Sequence, residues 1–233
     1  MRKLISSSIA LALICAAVPT LAGDAVSGPN GKIEGIFGSI DSNTTKAVAG
    51  SFTMPLGRAA GLQIDGLIGE IDSDGVNGIG GHVFWRDSEK GLFGITASWA
   101  DMDKVEINRV GIEWEYYINQ FTIDARIGRQ SNDNNDAGYG SINLSYYPID
   151  DLRLSIGGGI ADSDNRYGID AEYQTPASGL TLFASVAGGD NSYEHVYGGF
   201  RYYFGKEKSL IQRHRKDGSS NNLMRTISET YPK

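Results

Sequence analysis

The feature that most constrains this chain is an alternation that keeps restarting. In "RVGIEWEYYI" one face carries Val110, Ile112, Trp114, Tyr116 and Ile118, and the other carries Arg109, Gly111, Glu113, Glu115 and Tyr117. Successive side chains of a strand point to opposite faces, so this run is a strand with one apolar and one charged face. "FTIDARIG" sets Phe121, Ile123, Ala125 and Ile127 against Thr122, Asp124 and Arg126. "LRLSIGGGI" sets Leu152, Leu154, Ile156 and Ile160 against Arg153 and Ser155. "YGIDAEYQ" sets Tyr167, Ile169, Ala171 and Tyr173 against Asp170, Glu172 and Gln174. Twelve such runs start near Lys32, Ala47, Leu62, Gly78, Leu92, Ile107, Phe121, Gly138, Leu152, Arg166, Leu180 and Glu194, one every fourteen or fifteen residues. Each has the roughly 9–11 residues that a tilted membrane strand needs.

A soluble sandwich would alternate too, and two features favour a membrane barrel. On the apolar face Trp85, Tyr116, Tyr146, Tyr173, Tyr202 and Phe204 close even-numbered runs, while Phe93 and Phe121 open odd ones. In an up-and-down meander all of these fall at one end, as an interfacial aromatic belt. Connections after odd runs are rich in Asp, Asn and Ser ("DSNTTK", "DSDGVN", "SNDNNDA"), and those after even runs are compact turns ("NQ", "PIDD"). The two ends of the sheet therefore face different places. The expected fold is all-β: an antiparallel up-and-down transmembrane β-barrel of about 12 strands. Abundant Gly (31) and Tyr (12) beside few Pro (6) suit strands and tight turns.

The flanks read differently. Residues 1–22 have a basic start at Arg2 and Lys3, an apolar stretch from Ile9 and small residues near Ala22, the pattern of a secretory signal peptide. The only cysteine, Cys15, lies there, so the mature chain has no thiol chemistry. Residues 23–31 are expected as an N-terminal periplasmic segment, 32–205 as the barrel and 206–233 as a basic periplasmic tail. That tail carries seven Lys/Arg against three Asp/Glu, on a chain of net charge −7. The acidic body argues against a nucleic-acid partner. The tail's composition predicts a solvated segment; sharper alternatives are a contact with anionic periplasmic material or a plug at the barrel mouth.

The last run, "EHVYGGFRYYF", resembles the terminal strand of Gram-negative outer-membrane β-barrels of the porin-like kind. These typically end on a glycine, alternating aromatics and a final phenylalanine, here Tyr197, Gly199, Tyr202 and Phe204. This chain departs from the common form by continuing past Phe204. The resemblance implies the outer membrane as location, its lipid and lipopolysaccharide as surroundings, and the barrel assembly machinery as the reader of that strand. It implies passive passage of small hydrophilic solutes or ions, with no cofactor and no catalysis. The alternative is a closed structural or anchoring barrel.

The polar faces supply the lumen candidates: Asp65, His82, Arg86, Arg109, Glu113, Glu115, Asp124, Arg126, Arg153, Asp170, Glu172 and Arg201. If "NQ" at Asn119–Gln120 is a two-residue hairpin, Glu113 faces Arg126 as an expected ion pair, and Glu115 faces Asp124 as an unfavourable like-charge pair. Barrel closure would bring Arg201 near Glu34, although "KIEGIFGSID" alternates poorly. Such charges either line a narrow aqueous channel or fill a closed lumen, and twelve strands sit between small filled barrels and open porins.

Other chemistry finds little footing. Some twelve-stranded barrels are lipid hydrolases, but "GxSxG" is absent. His195 with Ser192 and Asn191 is a rim cluster without implied catalytic geometry. "DSDG" at Asp72–Gly75 opens like a calcium loop and lacks its closing Glu, so a turn explains it. The Asp-rich connections as a set could gather divalent cations beside lipopolysaccharide and give a slight cation preference.

Overall fold

The structure is a computed structural model, and it describes residues 24–102, 105–132, 136–177, 179–220 and 223–230. The signal peptide read at 1–22 lies outside the described residues. The described residues form twelve strands: β1 (Asn30–Ile40), β2 (Asn43–Leu56), β3 (Ala60–Ile71), β4 (Asp74–Asp87), β5 (Gly91–Asp101), β6 (Glu106–Ile118), β7 (Phe121–Asn132), β8 (Asp136–Ile149), β9 (Leu152–Ala161), β10 (Asp164–Gln174), β11 (Leu180–Gly189) and β12 (Glu194–Phe204). Two helices follow, α1 (Leu210–Lys216) and α2 (Leu223–Thr230).

Every strand pairs antiparallel with its sequence neighbours, and β12 closes on β1 in the register Gly31↔Phe204, Glu34↔Arg201 and Gly38↔Tyr197. The "NQ" hairpin sets Glu113↔Arg126 and Glu115↔Asp124, as its length required. Closure leaves no edge strand, which is the condition for crossing lipid with strands. None of the described helices is long and apolar enough to cross a membrane.

β2 and β4 begin four residues before the points where the alternation placed them and β10 two before, while the other strands begin within two residues of theirs. The reason is turn chemistry. Asp41–Ser42, Asp72–Ser73 and Asp162–Ser163 have positive φ at both positions, the geometry of a two-residue hairpin that follows the sheet's twist. Residues such as Thr44, Thr45, Gly75 and Val76, read as connection, are therefore paired in the ladder. The Asp-rich connections at these three hairpins are two residues long, not extended loops.

The outer face is apolar all round. Ile33, Phe52, Ile68, Ile79, Ile95, Val110, Ile127, Ile142, Ile156, Ile169, Leu182 and Val196 all point outward and exposed. A soluble protein rarely leaves apolar patches beyond a few hundred Å² open to water; a belt around a closed barrel is the surface that hydrocarbon solvates. Phe93, Tyr116, Phe121, Tyr146, Tyr173, Tyr202 and Phe204 are exposed at one end of it. Phe121 stacks on Tyr146 at 4.8 Å and Trp114 on Tyr116 at 5.9 Å.

Candidate functional site

The inner face is charged over most of its height and carries an apolar patch at one end. Asp65, His82, Arg86, Arg109, Glu113, Glu115, Arg126, Glu172 and Arg201 are buried on inward positions, with Asp124, Arg153 and Asp170 half-buried among them. Towards the Asp-rich turns the wall becomes apolar: Ile36 and Ile40 of β1, Leu67 and Ile71 of β3, Val76 of β4 and Ile107 of β6 all point inward. A water-filled lumen has no use for that patch. Leu223, Met224 and Ile227 of α2 cover it, and Ile227 is wholly buried.

The segment 206–233, expected as a solvated periplasmic tail, thus lies inside the barrel over its described part. The physical reason is that each of its features meets a complement on the wall. At the end where the chain closes, α1 is tied to the turns after even strands. Leu210 N–H donates to Asp151 (3.1 Å), Ile211 N–H to the Asp150 carbonyl (3.0 Å), and Arg215 Nη2 to the Phe121 carbonyl (2.8 Å). His214 sits between Tyr147 (2.8 Å) and Tyr203 (3.1 Å), 3.4 Å from Glu172. Burial depresses its imidazolium against the pull of Glu172, to a pKa of about 4.

The chain then turns into the lumen. The guanidinium of Arg86, fully buried, donates to the carbonyls of Asp217 (2.8 Å) and Gly218 (2.7 Å) and, more weakly, to Ala25 of the N-terminal segment (3.4 Å). Ser219 N–H donates to Gln63 (2.7 Å) and its hydroxyl to Glu113 (2.8 Å), while Ser220 N–H donates to Glu115 (3.0 Å). Lys208 pairs with Asp217, and Ser27 N–H donates to the Lys216 carbonyl (3.0 Å). These bonds satisfy backbone and carboxylate groups that would otherwise be buried bare, a condition that buried polar groups must meet.

Deeper in, α2 brings two charges. Glu229 takes Arg109 Nη1 at 2.7 Å and Arg126 Nη2 at 3.1 Å. Burial alone would raise its carboxyl, but Arg126, Arg109 and Arg225 together hold it down at about 2. Arg225 Nη2 donates to Asn143 (2.7 Å), and its Nη1 lies 3.6 Å from Asp124.

This rearranges the expected pairing. Glu113 and Arg126 are opposite in the ladder but turn to other partners: Glu113 to His82 (3.1 Å) and Ser219, Arg126 to Glu229. His82 also meets Asp65 at 2.8 Å. The like-charge neighbours Glu115 and Asp124 are relieved separately, Glu115 by Tyr117 (2.6 Å) and Ser220, Asp124 by Asn143 (2.7 Å) and Arg225. Arg201 bonds Glu34 (2.6 Å) and Glu172 (2.7 Å), and Arg153 reaches Glu172 at 3.5 Å.

Of the terminal-strand residues, Tyr202 and Phe204 face outward, while Tyr197 and Gly199 lie on the inner side. A Cβ on Gly199 would meet the Gly35 carbonyl oxygen at 1.8 Å, so this position needs glycine for the β12–β1 seam to close. His195 is buried while Ser192 and Asn191 are exposed; its ring contacts Ser185 Oγ (2.9 Å) and the Tyr193 hydroxyl (2.9 Å). Among the described residues no group of three His, Cys, Asp or Glu is placed to hold a metal. One space beside α2 is a polar cavity of about 120 Å³ bordered by Arg166, Asp170, His195 and Arg225.

Sequence reasoning missed Ser219, Arg225, Glu229 and the apolar trio of α2. The available signal was on the wall: inward Ile36 and Ile40 are why β1 alternates poorly, and they match an unremarked Leu223–Met224–Ile227 stripe at helical spacing.

Closed barrel, lipid-compatible outer belt and charged inner wall together define an outer-membrane-type β-barrel, here with its lumen occupied by its own C-terminal segment. No family model and no curated protein matches the chain in sequence. Solved structures share its fold. A KdgM porin superposes with a TM-score of 0.62 at 9% identity, over 75% of this chain and 99% of that one. The outer membrane protein Omp33 of Acinetobacter baumannii gives 0.53 at 10% identity, over 75% and 98%. An outer membrane channel from Pseudomonas putida F1 gives 0.55 at 9% identity, over 81% and 97%.

Proposed function

We propose that this protein is an outer-membrane, porin-like passive channel for small hydrophilic solutes or ions, with residues 206–233 as a plug of its lumen. The observation that carries this reading is the division of the barrel: an apolar outer belt around an inner wall of acidic and basic side chains. A passive channel needs a hydrated wall with fixed charges and no reacting group. The fold neighbours named as porins and channels support it. Outer-membrane lipid and lipopolysaccharide would contact the belt, and the assembly machinery would read β12. A non-catalytic reading of the Ser185–His195 pair is supported by its third partner. Tyr193 offers a phenol, which cannot neutralise an imidazolium as a carboxylate does.

One observation favours a second reading, the closed structural barrel: α2 and the 217–220 strap fill the lumen. Planar-bilayer conductance separates the two. Full-length protein and a variant ending at residue 205 are compared after gel mobility with and without heating confirms folding. Steps from the full-length protein support an open pore, and steps only from the shortened one support a plugged channel. Silence from both establishes the closed barrel and ends the channel reading.

A further inference from the structure

Glu229 is held in a way that a simple plug does not need. Each of its carboxylate oxygens takes a different wall guanidinium: Oε2 from Arg109 at 2.7 Å and Oε1 from Arg126 at 3.1 Å. Arg225 of the same helix adds Nε to Oε1 at 3.0 Å. Two guanidinium groups converging on one carboxylate is how proteins recognise that group in solutes, because the forks match its planar geometry.

The wall orients the Arg109 half of this grip without help from the tail. Gln130 of β7 accepts from Arg109 Nε at 3.1 Å and from Nη2 at 2.9 Å, and the Tyr139 ring of β8 lies under the guanidinium at 4.4 Å. Nη1 is thereby aimed into the lumen. The wall carboxylates nearby are engaged elsewhere, Glu113 by His82 and Ser219, Asp124 by Asn143 and Arg225. Both arginines are buried on adjacent strands.

We infer that Arg109 and Arg126 form a carboxylate-binding site in the lumen, occupied here by the chain's own Glu229, which a carboxylate-bearing solute takes over when that side chain is removed. The inference deepens the channel reading by naming a solute class, and it rests on that reading for the solute's access. Tethering gives Glu229 an effective concentration of order millimolar or more. A free carboxylate therefore competes poorly with the intact protein and well once Glu229 is neutral.

The test uses full-length protein in detergent and glutarate as the probe, with glutaramide as the uncharged control, read by titration calorimetry. Glu229→Gln should bind glutarate at least tenfold tighter than the wild type and ignore glutaramide. Adding Arg109→Gln should remove that gain. Equal binding by wild type and Glu229→Gln, or binding indifferent to Arg109→Gln, overturns the site. If Glu229→Gln does not fold, the wild type carries the test: glutarate raised well above the effective concentration of Glu229, at ionic strength matched with chloride, should speed protease cleavage of 206–233 severalfold, and an unchanged rate there overturns it. Conductance of the variant ending at residue 205 keeps the two readings apart. Glutarate binding by Glu229→Gln with silence from that shortened variant ends the channel alone, and conduction by the shortened variant without glutarate binding by Glu229→Gln ends the carboxylate site alone.

Discussion

Ile227→Asp should eject α2 from the lumen while leaving the barrel intact. Ile227 has no exposed surface and packs with Leu223 and Met224 against inward Ile36, Ile40, Leu67 and Ile71. Losing a buried isoleucine costs about 2–5 kcal/mol. An Asp in that patch also leaves a carboxylate without water, adding at least about 2 kcal/mol. A total near 5 kcal/mol shifts a docked-to-undocked ratio by about three to four powers of ten. The strand ladder is unaffected, because α2 makes none of its hydrogen bonds. The assay pairs single-channel recording with limited proteolysis of 206–233. Wild type should conduct rarely and protect the tail; Ile227→Asp should conduct steadily and release it, with unchanged heat-modifiable mobility on a gel. A variant that stays silent with a protease-resistant tail would refute the assignment of α2 as a removable plug.

Other outcomes follow from the same geometry. Arg201→Leu strands Glu34 in the wall and takes one of its cationic partners from Glu172, and should lower refolding stability by about 3–5 kcal/mol in a urea titration, whereas Arg58→Leu, on an exposed pair with Asp24, should change it by less than about 1. Ile127→Arg places a charge on the lipid face, where Ile127 is 62% exposed, and should cost about 2–4 kcal/mol of folding into bilayers; a neutral result would mean the face is not in lipid. Ser73→Gly relieves a positive φ of 72° and should stabilise the barrel by about 0.5–1 kcal/mol on thermal unfolding. Acid should loosen the tail in two windows. His214, facing Tyr147, Tyr203, Glu172, Arg153 and Arg201, has its pKa lowered to about 4, so its neutral docking contribution is lost as pH falls from about 6.5 towards 4. Glu229, lowered to about 2, gives up its contribution between about 4.5 and 2. Proteolytic release of 206–233 should therefore rise on acidification, and His214→Phe should blunt the upper window.

What the sequence by itself determined was everything carried by period two. Alternation placed twelve strands and told the lipid face from the lumen face. The two-residue "NQ" turn set the β6–β7 register, because a slip of one residue would turn every charge into the membrane. An even strand number and closure made β12 the antiparallel neighbour of β1, while the register that pairs Glu34 with Arg201 is set by the closed structure. What only the tertiary structure decided was the content of the lumen. Which partner Glu113, Arg126 or Arg86 takes depends on what stands across the lumen, and no local pattern encodes that. Residues 206–233 have an unremarkable composition for a tail, and α2 is too short to hold a helix alone. Leu223, Met224, Ile227 and Glu229 acquire meaning only once the wall exists, because the apolar patch at Ile36 and Ile40 and the arginine pair at 109 and 126 are assembled from strands distant in the chain.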